Sequence, residues 1–145
     1  MASIDPTKTM RISADACIGG RGGMLWQLAG EDIDPSPEDI LTCEKNIIAY
    51  FSESHSEVMR RWPTVEQEAG SVHWLLTRCR TEILGHRTVV YTDHKNLTYI
   101  LKTNSRKLIR WRLELMEYKF LVVHIPGALN CEADYLSRAY GDNHE

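Results

Sequence analysis

The chain has 145 residues, 43% hydrophobic and 26% charged, with a net charge of −3. That is enough apolar material for the core of one ordinary domain. It excludes a membrane span, because no apolar run approaches about 20 residues, and it excludes whole-molecule attraction to a polyanion, which must come from a local basic patch.

The four cysteines, Cys17, Cys43, Cys79 and Cys131, are widely spaced and show no metal-ligand pattern. They read as free thiols of a reducing compartment. The six histidines show no zinc-like clustering. The start, Met1 to Pro6, lacks the basic end and apolar stretch of a signal peptide.

Taken in order, Met10 to Asp15 predicts a first strand ending on an aspartate. Cys17 to Gly23 predicts a glycine-rich turn, and Gly22 to Leu28 the strand that follows. Ala29 to Glu44 carries Glu31, Asp32, Asp34, Glu38 and Asp39 with two prolines, and predicts an acidic surface loop with solvated carboxylates. Asn46 to Phe51 predicts a third strand. Pro63-Thr64 opens a helix, Thr64 with Gln67 fits a capping box, and Val65, Ala69, Val72, Leu76 and Cys79 form one buried stripe. Thr88 to Thr92 predicts a strand, followed at once by Asp93. Lys95 to Leu101 predicts a short helix, and Ser105 to Tyr118 a longer one with Leu108, Trp111, Leu113 and Leu115 inward. Phe120 to His124 predicts a fifth strand. Pro126-Gly127 makes a turn, Asn130 to Arg138 a last helix with Asn130 as its cap, and Gly141 to Glu145 a frayed tail. The opening strands suit an antiparallel meander. The later ones, separated by helices, return by crossovers and run parallel. The domain is predicted over residues 9–139, with residues 1–8 an N-terminal extension and 140–145 a tail.

The first and fourth strands therefore end alike, on Asp15 and Asp93, and parallel neighbours carry such residues to one edge. Two carboxylates there repel unless a cation lies between them, which is the layout of a divalent-metal site. Two helices offer further acids. On the helix from Thr64, Glu68 borders the buried stripe beside Val65 and Val72, whereas Glu66 points to the polar side with His73 and Thr77. The last helix offers Glu132 and Asp134, with Asp134 between Ala133 and Leu136.

The motifs carry a resemblance. Tyr91-Thr92-Asp93-His94-Lys95-Asn96-Leu97, then His124-Ile125-Pro126-Gly127, then Ala133-Asp134-Tyr135-Leu136-Ser137-Arg138 occur in that order. Trp62-Pro63-Thr64-Val65-Glu66-Gln67-Glu68 and Arg110-Trp111-Arg112-Leu113 lie between and around them. The chain resembles the ribonuclease H domain of reverse transcriptases, in the gypsy-type LTR retrotransposon branch, over roughly residues 10 to 138. The resemblance implies an α/β, ribonuclease H-like fold, a five-stranded mixed sheet flanked by helices. It implies an endonuclease that hydrolyses the RNA strand of RNA–DNA hybrids, with catalytic and metal-binding acids Asp15, Glu68, Asp93 and Asp134. The implied cofactor is a pair of Mg²⁺ ions, for which Mn²⁺ substitutes. The partners are the hybrid and the polymerase domain of the same polyprotein, with no membrane, and the isolated domain is expected to be a monomer. The setting is the cytoplasmic retroelement particle or the nucleus.

The hybrid is expected to meet Lys95, Asn96, Arg106, Lys107, Arg110 and Arg112, with Lys102 nearby. By resemblance the backbone near Ala16 and the side chain of Glu68 contact the 2′-hydroxyl. The histidine-bearing loop of many relatives has no room between Pro126 and Asp134, and His124 reads as structural. The alternative is a catalytically weak or inactive, connection-type module that kept the fold. Another nuclease or integrase of the same superfold and a plain interaction domain are weaker rivals.

Overall fold

The computed structural model describes residues 3–16, 19–40, 42–92, 106–115 and 119–125. Within them five strands form one mixed sheet: β1 (Met10–Ala16), β2 (Gly20–Leu28), β3 (Lys45–Ser54), β4 (Thr88–Thr92) and β5 (Phe120–His124). Their spatial order is β3-β2-β1-β4-β5. The pairs β1–β2 and β2–β3 are antiparallel, and β1–β4 and β4–β5 are parallel. Direct connections without a crossover give the first arrangement, and the helical return from β3 to β4 imposes the second. The helices are α1 (Glu57–Arg60), α2 (Thr64–Arg78), α3 (Arg80–Ile83) and α4 (Arg106–Leu115). The helices predicted at Lys95 to Leu101 and Asn130 to Arg138, and the tail from Gly141, lie outside the described residues.

One sheet face is covered by α2. Ile12, Ala14, Leu25 and Val90 meet Val72, Leu75 and Leu76 there, and Trp111 of α4 closes the same core. The approach is close at Gly23, where a Cβ would lie 2.5 Å from both Leu75 Cδ1 and Ser13 O. The glycine-rich segment is therefore not all turn. Gly20 to Gly23 are extended members of β2, and Gly23 is small because a helix presses on it.

The other face is covered by the connection between β2 and β3. It sets Ile40 against Met24, Trp26, Val89 and Tyr91, and Trp26 stacks on Tyr91 with ring centroids 5.5 Å apart. The carboxylates of this loop lie at the surface, as the sequence suggests, but two of them are also ion-paired. Arg11, 0% exposed, donates to Asp32 at 3.1 Å, to Asp34 at 2.9 Å and to the Tyr91 hydroxyl at 2.7 Å. Arg87 binds Asp34 with both terminal nitrogens. A buried guanidinium needs anions, and the loop supplies them. Glu31 and Glu38 remain exposed.

Other differences are local. Residues 4–8 lie on the body of the domain: Ile4 packs on the core, Asp5 N donates to Gln27, and Lys8 Nζ donates to the Leu28 and Gly30 carbonyls. The N-cap falls one residue before the expected Thr64. Pro63 caps α2 without a side-chain bond, and Gln67 turns its amide on the carbonyls of Met59, Arg60 and Trp62. On α4, Trp111 is buried but Leu113 is 59% exposed, because two residues rotate a helix by about 200°.

Candidate active site

The sheet brings the C-terminal ends of β1, β3, β4 and β5 to one edge. Asp15 is the penultimate residue of β1, its backbone paired with Gly22. β4 runs parallel to β1 with Ser13 opposite Tyr91, and its last residue is Thr92, which Asp93 follows in the chain. Sites in α/β sheets form beyond such strand ends.

Helix α2 carries Glu68 toward that edge. Leu75 seats the helix on Gly23, and Glu68 lies seven residues, about two turns, before it on the same face. The direction is marked by Arg21 of β2, whose Nη1 donates to Gly70 O at 3.3 Å. Arg21 pairs with Ala16 at the end of β1, so the N-terminal half of α2 lies over the strand end that bears Asp15. Glu68 is 6% exposed, a carboxylate held between helix and sheet. The border position that the helical wheel gives Glu68 is a buried one. Glu66 points to α4 and accepts from Lys107 at 3.1 Å.

Of the four expected acids, Glu68 is described in full and Asp15 by its backbone, while Asp93 and Asp134 lie outside the described residues. Among the described side chains no group of three histidine, cysteine or acidic residues is arranged to hold a metal. Of the expected nucleic-acid contacts, Ala16 ends β1, Arg106 and Arg110 are exposed on α4, and Lys107 and Arg112 are partly buried. Lys95, Asn96 and Lys102 lie outside the described residues. His124 ends β5 opposite Thr92 and is exposed. A cavity of about 640 Å³ between Gly85, Arg87, Lys119 and Leu121 opens at the opposite edge of the sheet, where β4 and β5 begin.

Sequence reasoning missed the contacts between α2 and α4. Trp62, His73 and Glu114 belong to them. The helical wheel puts His73 on the side of Glu66, and that side packs against α4. No helix of the described residues is long and apolar enough to cross a membrane.

The sequence pattern of the RNase H-like domain found in reverse transcriptase matches residues 5–118. The chain belongs to that family. This RNase H-like domain is 37% identical over 135 residues to the retrovirus-related Pol polyprotein from transposon opus of Drosophila melanogaster, covering 91% of the chain and 12% of the relative. Pol polyproteins of other transposons of that fly, gypsy among them, are also similar. The domain thus spans about a tenth of the length of the curated relatives it matches. Among solved structures, the foamy viral protease-reverse transcriptase in complex with an RNA/DNA hybrid matches with a TM-score of 0.64 and 16% identity, over 83% of this chain and 15% of that one. LC11-RNase H1, from compost, matches with a TM-score of 0.59 and 14% identity over 94% of this chain and 96% of that one. The fold is that of ribonuclease H.

Proposed function

We propose that this domain hydrolyses the RNA strand of an RNA–DNA hybrid during reverse transcription. The observation that carries the reading is Glu68: a buried acid on the N-terminal half of α2, which lies over the strand end that bears Asp15. Family membership and the hybrid bound by the foamy viral enzyme support it.

Asp15, Glu68, Asp93 and Asp134 form an all-oxygen donor set without sulfur or imidazole, which fits Mg²⁺ or Mn²⁺ and not zinc. These four would hold the cation. When bound, it supplies Lewis-acid stabilisation of the scissile phosphate and lowers the pKa of attacking water. The acids themselves need not donate protons. Burial between helix and sheet restricts the rotamers of Glu68, so its carboxylate is held in place before substrate arrives.

Because the domain is acidic overall, phosphates must be met locally, and exposed Arg106 and Arg110 of α4 do this. The polymerase segment of the longer protein supplies the remaining hybrid affinity. A gel assay on a labelled hybrid tests the proposal. Wild type cleaves the RNA strand only in the hybrid and only with Mg²⁺ or Mn²⁺, and Asp93→Asn abolishes cleavage. Hybrid binding without cleavage by the wild type would select the connection-type module instead.

A further inference from the structure

Helix α4 was expected to offer four cations to phosphate. Its packing divides them. Lys107, Trp111 and Glu114 repeat at i, i+4 and i+7 and face Glu66, Gly70 and His73, which repeat at the same spacing on α2. Lys107 Nζ lies 3.1 Å from Glu66 Oε2 and 3.9 Å from the Trp62 ring centroid. Trp111 fits where Gly70 has no side chain, for a Cβ there would lie 3.2 Å from Trp111 and 3.3 Å from Trp62. The Trp111 ring is tilted against Trp62 and stacked on His73, each with centroids 5.5 Å apart, and His73 Nε2 meets Glu114 Oε2. Rotated by one residue, Arg106, Arg110 and Leu113 form the outer face.

We infer that Lys107 is a positioning residue and not a phosphate contact: with Glu66 and Trp62 it clasps α4 to α2, holding Arg106 and Arg110 at a fixed offset from Glu68. This rests on the proposed function for its substrate and on the helix packing for its geometry. The clasp and the acid are on one rigid element, because Glu68 lies between Glu66 and Gly70 in α2. To reach a phosphate, Lys107 would have to leave both a carboxylate and an aromatic face. The pairing is an electrostatic one, so it survives exchange of its two charges, whereas a phosphate contact does not.

The test compares wild type, Glu66→Lys, Lys107→Glu, the double exchange, Lys107→Met and Arg110→Met. Binding of a fluorescent RNA–DNA hybrid is followed by anisotropy in chelator over a salt series, and thermal unfolding is recorded for the same proteins. The clasp predicts that both single exchanges weaken binding and lower Tm, and that the double exchange restores both. It predicts that Lys107→Met leaves the slope of log affinity against log salt unchanged, whereas Arg110→Met reduces it by about one. A double exchange as weak in binding as Lys107→Glu, or a slope reduced by Lys107→Met, would make Lys107 a direct contact and overturn the inference. If the wild type neither prefers the hybrid over duplex DNA nor cleaves it, the functional reading falls. The Tm values still decide the clasp, because simple addition of the two single losses would remove it.

Discussion

A missing methyl group sets the height of α2 above the sheet. At Gly23 a Cβ would press on the carbonyl of Ser13 as well as on Leu75, and the carbonyl belongs to the β1 backbone, which cannot step aside. Gly23→Ala should therefore destabilise the domain by about 2–3 kcal/mol, through overpacking and separation of β1 from β2. Gly30→Ala is the control, since nothing lies within 4 Å of the position, and urea midpoints of the two variants give the comparison. A result for Gly23→Ala within the range of the control would show that the helix rises freely. From the sequence this glycine was readable as special but not for its reason. A run of glycines looks the same whether the backbone turns or a helix leans on it. Glu68 was readable because its placement depends only on helical spacing, which a wheel captures without knowledge of the partner.

Elements with a regular pattern followed the sequence closely. β4 and β5 have the predicted bounds, and α4 lies inside the predicted helix. β3 was underestimated because its polar end, Ser52 to Ser54, belongs to an edge strand with little apolar signal. The ion pairs of the acidic loop are hidden for a different reason: their cations, Arg11 and Arg87, are distant in sequence and meet the loop only after the sheet has formed. Asp34 reports this pairing. The hydrogen bond from Arg87 outweighs the opposing effect of burial, and with Arg11 it holds the carboxyl at about 2. A depressed folded-state pKa contributes stability above the unfolded value and loses it as pH falls through the folded one. The contribution of Asp34 is thus complete above about pH 4 and fades toward about pH 2. Its side chain is 49% exposed, so solvent reduces the contribution to about 1 kcal/mol. Asp34→Asn should lower stability by that amount at neutral pH. The gap in Tm between wild type and variant should close on acidification across that window, and a gap independent of pH would show that the ion pair is not its source.

At the scale of the whole molecule, the proposed site joins acids separated along the chain by 53, 25 and 41 positions, from Asp15 to Glu68, Asp93 and Asp134. Two parallel ladders and one helix seat account for the placement of Glu68 and the strand of Asp15, and a pattern read along the chain contains the order of elements but not the spacing between them. The proposed collection of carboxylates at one edge of an already acidic protein would leave the folded state self-repelling without a cation, while the unfolded chain scatters the same charges. Binding to the folded state alone then stabilises it. Mg²⁺ at tenfold excess over its dissociation constant should contribute about 1.4 kcal/mol, and for a domain of this size that raises Tm by roughly 4 °C. Glu68→Gln should remove most of this rise, and in chelator it should be no less stable than the wild type to within the cost of a buried amide, because it also removes one of the repelling charges. Differential scanning fluorimetry across a Mg²⁺ titration, with KCl at matched ionic strength as the blank, separates specific binding from screening. A Tm that does not move at saturating Mg²⁺ would argue against the metal site even if the hybrid still bound, because the phosphate contacts proposed for α4 do not require the acids.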